Sequence, residues 1–187
     1  MLAKVISIIF EPFVLFPVIA ILVALRSGMA GLPFYYFLCV FMFGILLPPT
    51  ILRYWAVKTK RITNWDISDR KQRIKAFIFL AILLCIDYVL ILFFGNLDIL
   101  RLMQLYILTF GIFYCITLFW KISGHLTFTV INLGIISTWY PQIRSLLFII
   151  PPLLAWSRVK LKRHTIAQTV GGILFGGMMY EIWQRIF

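Results

Sequence analysis

Apolar runs approaching twenty residues recur from one end of this chain to the other, and no other feature limits its fold as severely. They fall at about residues 5–25, 32–52, 76–95, 102–120, 124–140, 143–157 and 164–183. A helix rises about 1.5 Å per residue, so roughly 20 apolar residues cross the hydrocarbon core of a bilayer. Backbone polar groups in lipid are satisfied only in helices or closed barrels, and these runs are continuous rather than alternating. The expected fold is therefore all-α: one integral-membrane domain over residues 1–187, built as a polytopic bundle of six to seven transmembrane helices. The sixth run is the weakest, because Leu146 to Trp156 is short and contains Pro151 and Pro152. It is read as a crossing, with a re-entrant segment as the alternative. Pro12, Pro17, Pro48, Pro49 and Pro151 are expected to kink spans locally.

Hydrophobic residues make up 63% of the chain, and its mean hydropathy is +1.00, against roughly 45–50% apolar residues in soluble domains. The net charge of +12 would suggest nucleic acid in a soluble protein. Here the cations lie between apolar runs, where membrane orientation and anionic headgroups account for them, and no nucleic-acid partner is expected. Lys4 precedes an apolar run as in a signal peptide, but Val5 to Leu25 is too long for one and lacks a clear cleavage site, so it reads as a retained first span. Cys39, Cys85 and Cys115 lie inside apolar runs with neither a disulfide framework nor a metal-ligand spacing, and read as packing residues.

One basic hinge stands apart: Ser157-Arg158-Val159-Lys160-Leu161-Lys162-Arg163-His164-Thr165-Ile166-Ala167-Gln168, which leads straight into the last apolar run. A Lys/Arg cluster between membrane segments is ordinarily a topology signal. This one also holds one of only two histidines, and the other, in Lys121-Ile122-Ser123-Gly124-His125, likewise stands at a junction of two runs beside a serine and a cation. A helix starting near His164 would place His164 and Gln168 on one face, with the imidazole near a positive helix N-terminus at the membrane surface. Such a place suits an anion.

These residues resemble the motifs of the type 2 phosphatidic acid phosphatases, integral-membrane relatives of the vanadium haloperoxidases. The family's third motif is Ser-Arg, five residues, His, three residues, Asp; this chain has Ser157-Arg158, five residues, His164, three residues, Gln168. The second is Pro-Ser-Gly-His, matched by Ile122-Ser123-Gly124-His125. The first is Lys, six residues, Arg-Pro; its nearest match is the stretch from Asp66 to Arg73, in which only Arg73 remains. The resemblance spans roughly residues 60–180, and implies a haloperoxidase-like core preceded by two added spans, 5–25 and 32–52. It further implies hydrolysis of a lipid phosphate monoester or diphosphate through a phosphohistidine, without metal or other cofactor. His164 would be the nucleophile, His125 the general acid, and Gln168 would stand in for the carboxylate that orients the nucleophile. Arg73, Arg158, Ser123 and Gly124 would cradle the phosphate, with Arg70, Lys71 or Lys121 supplying charge that the first motif has lost.

Two runs separate the segment at Arg73 from that at His125, and two more separate His125 from His164, so the three motifs emerge on one membrane face. That face carries fourteen cations against four on the other, which places it in the cytoplasm of a multi-pass protein of the cell (inner) membrane. Glu11 and Asp87 fall within runs, where a carboxylate calls for a structural or functional partner. Gly172 and Gly176 have the spacing that lets helix backbones approach, chiefly for packing within the chain, with a homo-oligomer as the other use. Tryptophans stand mostly at run ends, as an interfacial belt.

Three classes of function fit these residues. An enzyme needs both histidines. A protein that binds or transports a lipid phosphate without turning it over needs Arg73 and Arg158 but not His164, and a structural membrane subunit needs neither. The expected partners are a lipid phosphate and membrane lipids.

Overall fold

A computed structural model of the chain describes residues 1–62, 67, 69–93 and 95–186, except the side chains of residues 70, 71 and 73. Every regular element among the described residues is helical. The first expected run is broken into α1 (Leu2–Ile9) and α2 (Pro12–Arg26), which meet at a 42° bend. Pro12 has no N–H for a helical bond and disfavours helical geometry at Glu11, so the break falls where the proline puts it. Pro17 is tolerated inside α2.

The second run is one apolar helix, Gly31–Lys58, made of α3 (Gly31–Phe41), a π-helical turn at Met42–Leu46 and α4 (Leu47–Lys58). Pro48 and Pro49 lie in the first turn of α4. Lacking N–H groups, they cannot continue the α-helical ladder, and the wider turn just before them re-phases the helix without a sharp kink. There follow α5 (Arg70–Leu92), α6 (Leu97–Phe119), α7 (Gly124–Trp139), a 3-10 turn at Pro141–Ile143, α8 (Arg144–Leu147), α9 (Ile150–Lys160) and α10 (Ile166–Ile186). Pro151 and Pro152 start α9 rather than kinking it, because the first helical turn needs no N–H donor there.

Among the described residues, three helices are long and apolar enough to cross a membrane: Gly31–Lys58, Ile74–Leu92 and Leu97–Phe119. The bent pair α1 and α2 would make a fourth. The sixth run is divided among the 3-10 turn, α8 and α9; with 11 residues, α9 reaches only about 16 Å, roughly half the bilayer core.

Chain contacts form two compact units, Pro17–Phe119 and Met1–Phe16 with Trp120–Phe187. In the first, Phe77 on α5 packs against Phe110 and Phe113 on α6, with ring centroids 5.1 and 5.5 Å apart. Gln104 donates to the Tyr88 hydroxyl at 2.8 Å. Asp87 is wholly buried on α5, beside the π-helical turn. Its carboxyl lies against Gly44, where any Cβ would collide with it, and beside the backbone of Ile45. Neither oxygen makes a hydrogen bond of regular geometry among the described residues. Cys39, Cys85 and Cys115 are exposed; the expectation that they pack inside is corrected, since a small apolar thiol suits a helix face turned to lipid as well as one turned inward.

The second unit holds both histidines. Its core joins Ile6 of α1, Leu126 of α7 and Leu154 of α9, with Phe10, Ala155 and Ile173 packed around them. Small residues let two helix backbones approach closely and bond to each other, and the α7–α10 pair does both. A Cβ on Gly172 would lie 2.7 Å from the carbonyl oxygen of Ser123, and one on Gly176 only 2.5 Å from that of Thr127. The Thr127 hydroxyl donates to the Gly172 carbonyl at 3.2 Å. The glycine face is thus filled by α7 of the same chain. Gly177, one residue on, has nothing within 4 Å of a built Cβ. Gly176→Ala should therefore destabilise the protein by about 1–3 kcal/mol through overpacking against backbone, whereas Gly177→Ala should be neutral or mildly stabilising. Thermal melts of the two purified variants check this, and equal losses would show that the glycine contact has no special weight.

Candidate active site

The segment linking α6 to α7 and the hinge linking α9 to α10 are bonded side by side. Backbone N–H of Ser123 donates to the carbonyl of Gln168 at 3.1 Å, and Lys121 Nζ donates to the carbonyl of Arg163 at 3.2 Å. Gly171 allows the contact, since its missing side chain leaves room for the Trp120 ring. Lys121, Ser123, Gly124 and His125 are thereby brought to the same end of the unit as Arg158, His164 and Gln168. Ser123 is the N-cap of α7 but makes no side-chain cap. Its hydroxyl is fully buried and without a hydrogen-bond partner among the described residues. Gly124 and His125 open α7, so their backbone N–H groups are among the donors that a helix start leaves unused by the helix itself. His125 is half-buried.

The hinge is built from two terminus motifs in succession. At the end of α9, Lys162 adopts a left-handed backbone with φ 54°; its N–H bonds the Val159 carbonyl at 2.9 Å, and that of Arg163 bonds the Arg158 carbonyl at 3.0 Å. This is the paired-bond termination usually given to glycine. Three residues later Thr165 caps α10. Its hydroxyl accepts from Gln168 N–H at 3.3 Å, and the Gln168 amide oxygen accepts from Thr165 N–H at 3.2 Å. That reciprocal pair is a capping box, for which glutamine or glutamate is preferred at the fourth position.

α10 therefore starts at Ile166, and His164 lies outside it rather than sharing a helical face with Gln168, as a start near His164 would have required. The two side chains meet nevertheless: His164 Nδ1 is 3.2 Å from Gln168 Oε1. The Thr165 N–H identifies that atom as the amide oxygen, an acceptor only, so in this pairing the neutral imidazole carries its proton on Nδ1 and its lone pair on Nε2. His164 is 8% exposed, while Lys160 and Lys162 are exposed cations beside it.

Arg158 is buried, and its Nη1 donates to the hydroxyl of Ser7 on α1. Ser157 donates to the carbonyl of Ala3 at 2.6 Å. Neither Ser7 nor Ala3 belongs to any motif. The capping box was in principle visible as Thr-x-x-Gln before an apolar run, whereas nothing local marks Ser7.

The first-motif residues stand differently. Arg70, Lys71 and Arg73 occupy the first turn of α5, which Asp69 caps by accepting from Gln72 N–H at 2.9 Å. Their side chains, and residues 66 and 68 of the same stretch, lie outside the described residues. No cluster of three or more His, Cys, Asp or Glu suited to a metal occurs among the described residues. A cavity of about 270 Å³ lies elsewhere in the unit, lined by Leu133, Ser137, Phe148, Pro151, Tyr180 and Glu181. It is near the far ends of α7 and α10, on the order of 15–20 Å along those helices from the histidines, and is not part of this site.

The chain matches no protein-family model, no curated protein and no solved structure. Its functional reading therefore rests on its own residues. Gln168 should be required for the hinge as well as for His164: Gln168→Ala should cost about 1 kcal/mol of stability through loss of the cap. Gln168→Glu, which keeps the capping geometry, should melt within a degree or two of the parent. A fully stable Gln168→Ala would show that the cap carries no weight.

Proposed function

We propose that this chain is an integral-membrane phosphatase that hydrolyses a lipid phosphate monoester or diphosphate through a phosphohistidine on His164. The observation that supports it best is the bond from Ser123 N–H to the Gln168 carbonyl, with its companion from Lys121 to Arg163, because together they join the His125 segment to the His164 segment. In this reading Nε2 of His164 attacks phosphorus in line. The P–O bond to the lipid breaks, and His125 gives a proton to the departing oxygen. Arg158, Lys121, the Ser123 hydroxyl and the Gly124 N–H balance charge on the transferring group; Arg73, Arg70 and Lys71 would add to it only by the motif resemblance. Water, giving a proton to the now neutral His125, then attacks the phosphohistidine; the P–N bond breaks, releasing inorganic phosphate and restoring neutral His164.

Gln168 Oε1 holds the attacking tautomer but supplies no negative charge to the imidazolium that forms. That neutral partner is the observation favouring the second reading, a protein of the same architecture that binds or transports a lipid phosphate without turnover. We further propose a polytopic bundle of six to seven spans with a haloperoxidase-like core, and a site facing the cytoplasm of the inner membrane. The apolar helices favour an amphipathic substrate with its phosphate at the cationic end and its chains in lipid.

Purified protein should release phosphate from at least one of phosphatidic acid, phosphatidylglycerol phosphate and an isoprenyl diphosphate. His164→Ala should abolish release, and His125→Ala should lower it about 10²–10⁴-fold. Gln168→Glu should raise turnover, since a carboxylate at Nδ1 makes Nε2 more basic and stabilises the cation. Binding of these lipids that survives His164→Ala, with no phosphate release by the parent, would establish the second reading instead.

Sidedness has its own test. A single cysteine at residue 60, in a background lacking the three native cysteines, should resist an impermeant thiol reagent in intact cells and react after lysis. Labelling of intact cells would place residue 60 on the outer face and overturn the cytoplasmic assignment drawn from the cation count.

A further inference from the structure

The Ser157-Arg158 pair is gripped by a helix that lies outside the residues carrying the motif resemblance. On α1, Ala3 and Ser7 are four residues apart and share a face. That face meets α9: Ser157 Oγ donates to the Ala3 carbonyl at 2.6 Å, and Arg158 Nη1 donates to Ser7 Oγ across 151 residues of sequence. All four residues are buried, with Ser157 at 0% and Arg158 at 2% exposed. Ile6, on the same side of α1, packs against Leu126 and Leu154 and keeps the helix in place. Ser7 is the buried hydroxyl of a helix whose other buried residues are Ala3 and Ile6.

A hydrophobic side chain would fill that position in an apolar helix as well. The hydroxyl has a more specific consequence. Arginine has a long stem with many rotamers, and a bond to one fork nitrogen selects among them. A guanidinium already fixed in a water-poor site meets phosphate oxygens with little ordering left to do. We infer that Ser7 is a positioning residue of the phosphate site, through which α1 presets the Arg158 guanidinium for the substrate phosphate. The inference rests on the lipid phosphatase reading above, and it makes the N-terminal helix a component of that site rather than an appended span.

The test uses the purified full-length chain in lipid nanodiscs, with tungstate as a phosphate-like probe in calorimetry and with steady-state phosphate release. Ser7→Ala should weaken tungstate binding and raise KM, each about tenfold, because a hydrogen bond to a charged group is lost. Its kcat should fall by no more than about tenfold, since Arg158 is loosened and not removed from the transferring phosphate, and the tungstate affinity, which involves no chemistry, reads its positioning alone. Ser7→Thr keeps the hydroxyl and should return both constants to within about twofold of the parent. Should Ser7→Ala fail to fold, Ser7→Cys, nearly the same shape but a weak acceptor, should give the same losses. Unchanged tungstate affinity and KM in a folded Ser7→Ala or Ser7→Cys overturns the inference alone, as does a Ser7→Thr that is as impaired as they are. A parent protein that neither binds tungstate nor releases phosphate overturns the phosphatase reading and this inference with it.

Discussion

The close backbone contact of α7 with α10 is the constraint on which the histidine-bearing unit depends. Gly172 and Gly176 bring the α10 backbone to within side-chain-free distance of the carbonyls of Ser123 and Thr127. Once the helices approach that closely, Thr127 can bond the Gly172 carbonyl, and Ser123 N–H can bond that of Gln168. The second of these bonds is the one that brings the two histidine segments to one place. Packing and the candidate site are thus consequences of the same few missing side chains.

Gln168 shows how a residue can answer to two demands. As the fourth residue of a capping box it satisfies backbone donors at the start of α10, and through the same oxygen it contacts His164. Aspartate is one methylene shorter and reaches back to the N-cap less well, so glutamine at this position has a local structural reason. Its chemical consequence is separate: an amide oxygen selects a tautomer as a carboxylate does, but offers a developing cation only a dipole. Reach and charge together make glutamate the informative substitution here.

Buried polar groups in the two units are handled differently. Asp87 sits against the backbone at Gly44, in the π-helical turn that precedes Pro48 and Pro49, so an intramembrane acid and an irregular helix occur together. Arg158 is engaged by the hydroxyl of Ser7. In both cases a small residue on a neighbouring helix, glycine or serine, provides the room or the partner that a larger apolar side chain would remove. Each such site couples a helix to its neighbour more specifically than apolar contact does.

The sequence by itself determined the helical class, since continuous apolar runs in lipid leave few other ways to satisfy a backbone. It also marked the break at Pro12, the packing role of the glycine repeat and the local pairing of His164 with Gln168. These follow from spacing along the chain or from the absence of a donor, and need no knowledge of what lies across from them. Other features were decided only in three dimensions. The start of α10 moved past His164 because a capping box outweighed the simple continuation of an apolar run. The division of the sixth run into short helices, and the outward exposure of the cysteines, depend on what each helix packs against. Ser7 was invisible for the most basic reason: a hydrogen bond between residues 151 apart leaves no period, motif or charge pattern in the sequence, and exists only because α1 folds back onto α9.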